Sequence, residues 1–404
     1  MISKKIYFVA GEVSGDNHGA SLMRALREMR PDFQFSGRGG PQMKAIAGRH
    51  FHDWIGDAAV VGLWEVIKNY GYFRQKFRET LKEIENQKPD AVVLIDYPGF
   101  NLRLARALRR QARSRKIIYY ISPQVWAWNR GRIKQMARWL DLMLCIFPFE
   151  AELYSESGLR TIFVGHPMIE QLSAQKIDSS RDRNLLALFP GSRRREVRKI
   201  FPVMLRTAEK LLRAKPNLRF EVGAASHEAA SEIEQSVNQF MPRPTTSHLN
   251  PVSSPRGEGR VSGVPQLQDR LEVKTGESAA IMQRAFAGVI ASGSATQEAA
   301  YYRLPFVLVY KVSWLTYLAG RLVIKVDYLG MPNVIANKEI VPEFIQHEAN
   351  ASAIVKAMLP LMDEPAARHE MISAFDEIAA TLGEGGASNR AALAIIEELS
   401  GEKS

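Results

Sequence analysis

At 404 residues and 45.4 kDa the chain is longer than one hydrophobic core usually organises, and its formal charge of +11 calls for an anionic partner: nucleic acid, an anionic lipid surface or a phosphorylated substrate. A composition of 46% hydrophobic and 24% charged residues excludes a disordered chain, and no apolar run reaches the roughly 18 residues of a membrane span, because the longest, 312–326, contains Arg321 and Lys325. The single cysteine, Cys145, excludes a disulfide framework, and the first ten residues lack the apolar region and cleavage site of an export signal, so a cytoplasmic location is expected.

Short β-branched or aromatic runs alternate with helical patterns from the start: a strand at 5–10 and helix at 19–29, strand 91–95 and helix 102–113, strand 117–121, strand 142–146 and helix 149–157. Strands apolar on both faces, each returning through a helix, predict a doubly wound parallel sheet, so residues 1–168 read as one Rossmann-like domain. The rhythm breaks after Gly165, His166 and Pro167 and restarts with strand 185–189, helix 196–213 and strand 220–222. Residues 169–365 therefore form a second domain of the same kind. Within it, 243–266 is rich in Pro, Ser, Gly and Thr and reads as a mobile surface insertion. Strand 288–291, a helix from Ala295 and strand 306–310 follow. Helices at 354–362, 366–382 and 391–399 close the chain, and one or more of the C-terminal helices (366–404) can pack back onto the first domain.

Four turns carry chemical content, each placed after a strand, where doubly wound sheets bind ligands. The first, Gly11-Glu12-Val13-Ser14-Gly15-Asp16, opens a helix; it is either a cleft-facing turn or a tight strand-to-helix turn capped by Asp16 or Ser14. The second runs from Ile95 to Asn101. Here Asp96, stiffened by Pro98, is the candidate general base, with helix capping as the bland alternative. Nearby, Gln124, Trp126 and Trp128 follow the next strand, the tryptophans being core fillers or faces for a sugar ring or acyl chain. The third, Gly191-Ser192-Arg193, couples a glycine turn to a helix start and a forked cation, which suits a diphosphate. The fourth, Ser292-Gly293-Ser294-Ala295-Thr296, lets a phosphate approach closely, and Glu298 one turn on can accept hydrogen bonds from ribose hydroxyls; a capping-box start is the alternative. Trp64, Tyr70, Tyr72 and Phe73, interleaved with Lys68, Arg74, Lys76 and Arg78, form a stretch that either lies in an anionic membrane interface or packs on the domain as an ordinary amphipathic helix; 312–326 is a weaker second candidate for the interface.

Taken in order, GEVSGD at Gly11, AVVGLWEVI at Ala59, IDYPGFN at Ile95, SPQVWAW at Ser122, GHP at Gly165, PGSRRREV at Pro190, SGSATQEAA at Ser292 and PNVIANKEIVPEFIQ at Pro332 resemble the lipid-A-disaccharide synthase family, over nearly the whole chain. The stretch around 243–266 departs from the family's shorter connection. The resemblance implies a GT-B glycosyltransferase, two Rossmann-like domains facing a cleft that closes around the substrates. It implies transfer of 2,3-diacylglucosamine from its UDP derivative to the 6-hydroxyl of 2,3-diacylglucosamine 1-phosphate, with inversion and release of UDP, at the inner face of the cytoplasmic membrane. It places Asp96 as base, Arg193 on the diphosphate, Ser292 to Glu298 at the nucleotide, and Asn333, Glu339, Glu343 and Gln346 on the donor side. No cofactor, metal or nucleic acid is implied. Family members can form homodimers, although the sequence shows no decisive interface.

Overall fold

The computed structural model describes residues 3–55, 70–112, 114–241, 266–314 and 327–401. Trp64, most of the 312–326 run and the 243–265 stretch lie outside them. The chain divides into two units, Met1–Glu170 with Thr381–Ser404, and Gln171–Ala380.

The first unit is built on a seven-stranded sheet of β1 (Lys5–Ala10), β2 (Gln34–Gly39), β3 (Phe51–Asp53), β4 (Ala91–Ile95), β5 (Lys116–Tyr120), β6 (Leu142–Cys145) and β7 (Thr161–Phe163), in the order β3-β2-β1-β4-β5-β6-β7. Every described pairing is parallel. The central strands are apolar on both faces because helices cover both: all five side chains of β4 are fully buried. Order reverses between β1 and β4, which pair from Ile6↔Ala91 to Ala10↔Ile95, so the turns leaving these two strands emerge side by side.

The last helix, Ala387–Ser400, returns to this unit and packs along Val13–Met29. Charge fixes its register: Glu398, nearly buried, accepts from Lys116 at 2.6 Å and Arg160 at 2.5 Å, while Arg390 donates to the carbonyl of Val164 at 2.8 Å. The preceding helix, Pro365–Thr381, falls in the second unit up to Ala380, and there Arg368 lies over the ring of Phe286 and donates to its carbonyl at 2.6 Å.

The second unit has six strands, β8 (Asp182–Phe189), β9 (Arg219–Ala224), β10 (Leu271–Thr275), β11 (Ala285–Ala291), β12 (Phe306–Tyr310) and β13 (Glu343–Ile345), in the order β10-β9-β8-β11-β12-β13, again parallel. The long helix Arg194–Ala214 buries Val197, Ile200, Phe201, Met204, Ala208 and Leu211, a spacing of three and four that gives it one buried apolar face. The reversal here lies between β8 and β11, where Phe189 pairs with Ile290. Both units therefore carry the same architectural crevice.

Candidate active site

In the first unit the turn after β1 meets the turn after β4. Gly11 has no room for a side chain, since a Cβ there would sit 2.2 Å from the Tyr97 ring. That ring packs edge-on against Trp54, whose indole N–H donates to the carbonyl of Ala10 at 2.6 Å. Glu12, Val13 and Ser14 are exposed at the mouth of the turn, while Gly15 is buried against β1. Asp16 points elsewhere. Buried, it accepts backbone N–H groups of Gly40 and Met43 on one oxygen and of Gln42 on the other, each at 3.0 Å. Its carboxylate thereby caps the helix Pro41–Ala47 and ties the end of β2 to the turn after β1.

Asp96 is half-buried at the end of β4. Burial, then the negative charge of Glu12, push its carboxyl up to about 6, against a small opposing hydrogen bond from the Tyr97 backbone. A carboxylate tuned to that range is mostly ionised at neutral pH yet remains a competent proton acceptor. Asn101 is fully buried, and its amide donates to the carbonyls of Ile95 at 3.1 Å and Asp96 at 2.8 Å.

Of the aromatic loop after β5, Gln124 is exposed and Trp126 is buried. The Trp126 indole donates at 2.9 Å to Glu150, whose carboxyl burial raises to about 7, and its ring stands edge-on to Phe149. Tyr154 ties the same loop by donating to the carbonyl of Pro123 at 2.7 Å. Further back, Tyr72 and Phe73 are half-buried near the start of the helix Tyr70–Gln87, with rings 5.6 Å apart and Lys76 5.5 Å from the Tyr72 ring. That helix is anchored on the unit through Phe77, which lies 5.6 Å from Phe100.

In the second unit the turn after β8 runs Pro190-Gly191-Ser192-Arg193 into the N-terminus of Arg194–Ala214. Gly191 adopts φ 109°, and a Cβ would lie 2.8 Å from a carboxylate oxygen of Glu196. That space lets Glu196 fold back to accept from the guanidinium of Arg193 at 3.2 Å. The Arg193 side chain is otherwise 82% exposed, and this surface pair holds it weakly. Beside it, after β11, Ser292 donates its N–H to Val309 at 3.0 Å, the Thr296 hydroxyl donates to Gly293 at 2.7 Å, and Gly293 has open space around its Cα. Ser294 and Ala295 start the short helix Ala295–Tyr301, in which Glu298 is half-buried; burial raises its carboxyl and the Ser294 hydroxyl partly offsets this.

The remaining residues of the second unit organise backbone. Asn333, fully buried, accepts the N–H groups of Ile340 and Val341 and donates to Val341 and Glu343. Glu343 accepts from the N–H groups of Leu329 and Gly330 at 2.9 and 2.8 Å. Gln346 accepts the Val312 N–H at 3.0 Å, whereas Glu339 is exposed. Sequence reasoning gave no role to Tyr97 and Glu196, which lie within the chosen turns and meet Gly11 and Arg193, and missed Tyr119, whose hydroxyl donates to the Asp96 carbonyl from the neighbouring strand. Among the described residues no three His, Cys, Asp or Glu side chains gather as a metal site needs.

Two parallel-sheet units, each with its turns gathered at a reversal of strand order, define the GT-B fold class. Solved structures agree at the level of fold: the chain superposes on an S. aureus MnaA–UDP structure with a TM-score of 0.61 at 14% identity, covering 99% of each chain, and on the calicheamicin glycosyltransferase CalG4 at 0.54 and 14%, covering 100% of each. The family model described as lipid-A-disaccharide synthetase matches residues 6–253 and 243–395. Curated lipid-A-disaccharide synthases of Geobacter sulfurreducens and Myxococcus xanthus are 36% and 35% identical, covering 98% of this chain and 98% and 97% of their own. The chain belongs to the lipid-A-disaccharide synthase family and is a glycosyltransferase of lipid A biosynthesis.

Proposed function

We propose that the enzyme transfers 2,3-diacylglucosamine from UDP-2,3-diacylglucosamine to the 6-hydroxyl of 2,3-diacylglucosamine 1-phosphate with inversion at the donor carbon. The observation that carries this reading is Asp96, a carboxyl raised to about 6 at the reversal point of the first sheet. As base it takes the proton of the acceptor hydroxyl while that oxygen attacks the anomeric carbon from the face opposite UDP. Bond breaking leaves negative charge on the diphosphate. In the second unit Arg193, the N–H groups at the start of Arg194–Ala214 and the open turn Ser292-Gly293-Ser294 stabilise that charge as it forms. Exchange of Glu196 for phosphate as the partner of Arg193 frees the cation for this work. Glu298 serves the ribose, while Asn333, Glu343 and Gln346 hold the donor-side loop and Glu339 stays available to the sugar. UDP is the nucleotide in the S. aureus MnaA–UDP structure, and UDP-GlcNAc is bound in a Neisseria meningitidis epimerase of the same fold.

Acyl chains require an apolar landing place, and the half-buried pair Tyr72 and Phe73 beside Lys76, with Trp64 and Tyr70 preceding them in sequence, suits an anionic membrane interface. Among the described residues no helix is long and apolar enough to cross a membrane, so the contact proposed is peripheral, at the inner face of the cytoplasmic membrane. The test is UDP release from UDP-2,3-diacylglucosamine with and without acceptor, with the product identified by mass and anomeric coupling. Acceptor-dependent release of a β-1,6 disaccharide is expected. Release without acceptor, or isomerisation of the donor sugar, would favour epimerase chemistry instead.

A further inference from the structure

The peptide carrying Asp96 is bent into the left-handed region at two consecutive non-glycine residues, Asp96 at φ 45° and Tyr97 at φ 48°. Side chains with a Cβ avoid this region, and a pair in succession persists only where surroundings hold it. Three hydrogen bonds do so. The Asp96 N–H donates to the carbonyl of Tyr120 at 3.0 Å, and the Asp96 carbonyl accepts both the Tyr119 hydroxyl at 2.6 Å and the Asn101 amide at 2.8 Å. Tyr119 and Asn101 are both fully buried. Tyr119 lies on β5, one residue before the strand ends, within the core cluster that includes Trp54, Phe100 and Leu104, so packing leaves its hydroxyl little choice of direction.

We propose that Tyr119 is a positioning residue: by holding the Asp96 carbonyl together with Asn101, it fixes the turn from which the Asp96 carboxylate meets the acceptor hydroxyl. This rests on the reading of Asp96 as base. A buried tyrosine needs a partner for its hydroxyl in any case, but a buried carbonyl within the core would serve. Here the partner is the one peptide whose direction sets a reacting group, and two side chains from different elements converge on it. Burial, then the charges of Asp96 and Tyr154, raise the Tyr119 hydroxyl well above its ordinary range, so it remains a donor throughout the working pH range.

The test is a double-mutant cycle with Tyr119→Phe and Asp96→Asn, read as kcat and KM for both substrates. Tyr119→Phe is expected to lower kcat by about 10- to 100-fold, the cost of a misplaced reacting group, with KM changed by less than about twofold. In the Asp96→Asn background the same substitution is expected to do nothing further, because its effect runs through Asp96. Native kcat in Tyr119→Phe, or an equal loss in both backgrounds, overturns the proposal. Native kcat in Asp96→Asn instead overturns the reading of the base, and the proposal with it. Should Tyr119→Phe not fold, Asn101→Ser removes the second donor to the same carbonyl; the same pattern supports the proposal and native kcat contradicts it.

Discussion

The two sheets reverse strand order at equivalent places, β1 against β4 and β8 against β11, and present opposite chemistry there. In the first unit the turns bring two carboxylates together, and Asp96 sits on a peptide whose N–H and carbonyl are both engaged. In the second, the turns offer an exposed guanidinium, a helix N-terminus and small residues, with Arg193 held, among the described residues, by a surface pair with Glu196. On the proposed reading, the first crevice serves a proton and the second an anion that arrives and leaves. A doubly wound sheet supplies the place, and the two or three side chains on its turns decide whether that place is rigid and acid-tuned or open and cationic.

The largest expected effect breaks the first crevice. Asp96→Asn keeps the shape and removes the proton acceptor, so kcat should fall by about 10²- to 10⁴-fold while calorimetric UDP affinity stays native. The second crevice should respond in reverse. Arg193→Ala should weaken UDP binding and lower kcat/KM by about 10- to 100-fold, the worth of a charge-assisted hydrogen bond, with Arg193→Lys recovering part of the loss because the forked geometry is missing. Gly11→Ala drives a methyl into the Tyr97 ring and should cost about 1–3 kcal/mol in denaturant melts by overpacking. The smallest effect sharpens the comparison: Glu12→Gln removes the negative charge beside Asp96, favours its ionised form and should move the acid limb of the pH–rate profile downward, leaving UDP affinity unchanged.

Much of this was legible in the sequence because the central strands bury both faces and therefore read as unbroken apolar runs. Those at 5–10, 91–95 and 306–310 coincide with β1, β4 and β12. The strands that escaped are short or polar. β2 reads QFSGRG: its Gly37, at φ 144°, lets the chain approach β1 so closely that a Cβ would lie 2.1 Å from the Phe8 carbonyl oxygen, and its buried Arg38 is neutralised by Glu83 and Glu79 from a helix more than forty residues away. Neither feature has an apolar periodicity to find. At the site, strand-end position made Asp96, Arg193 and the Ser292 turn visible. What no local pattern could show is which polar residues are spent on backbone, as Asp16, Asn101 and Asn333 are, or that Tyr119 on the next strand reaches Asp96.

The measurement that bears most directly on the central claim is kcat/KM against pH for acceptor-dependent UDP release, since this ratio reports ionisations of the free enzyme. As the proposed base Asp96 must be ionised to act, and burial pushes its carboxyl up to about 6. Activity should therefore be full above that value and fall tenfold per unit as pH drops below it, with the limb absent from the residual activity of Asp96→Asn. A profile flat from pH 7 down to 5, or an unchanged limb in Asp96→Asn, would contradict the assignment of the base.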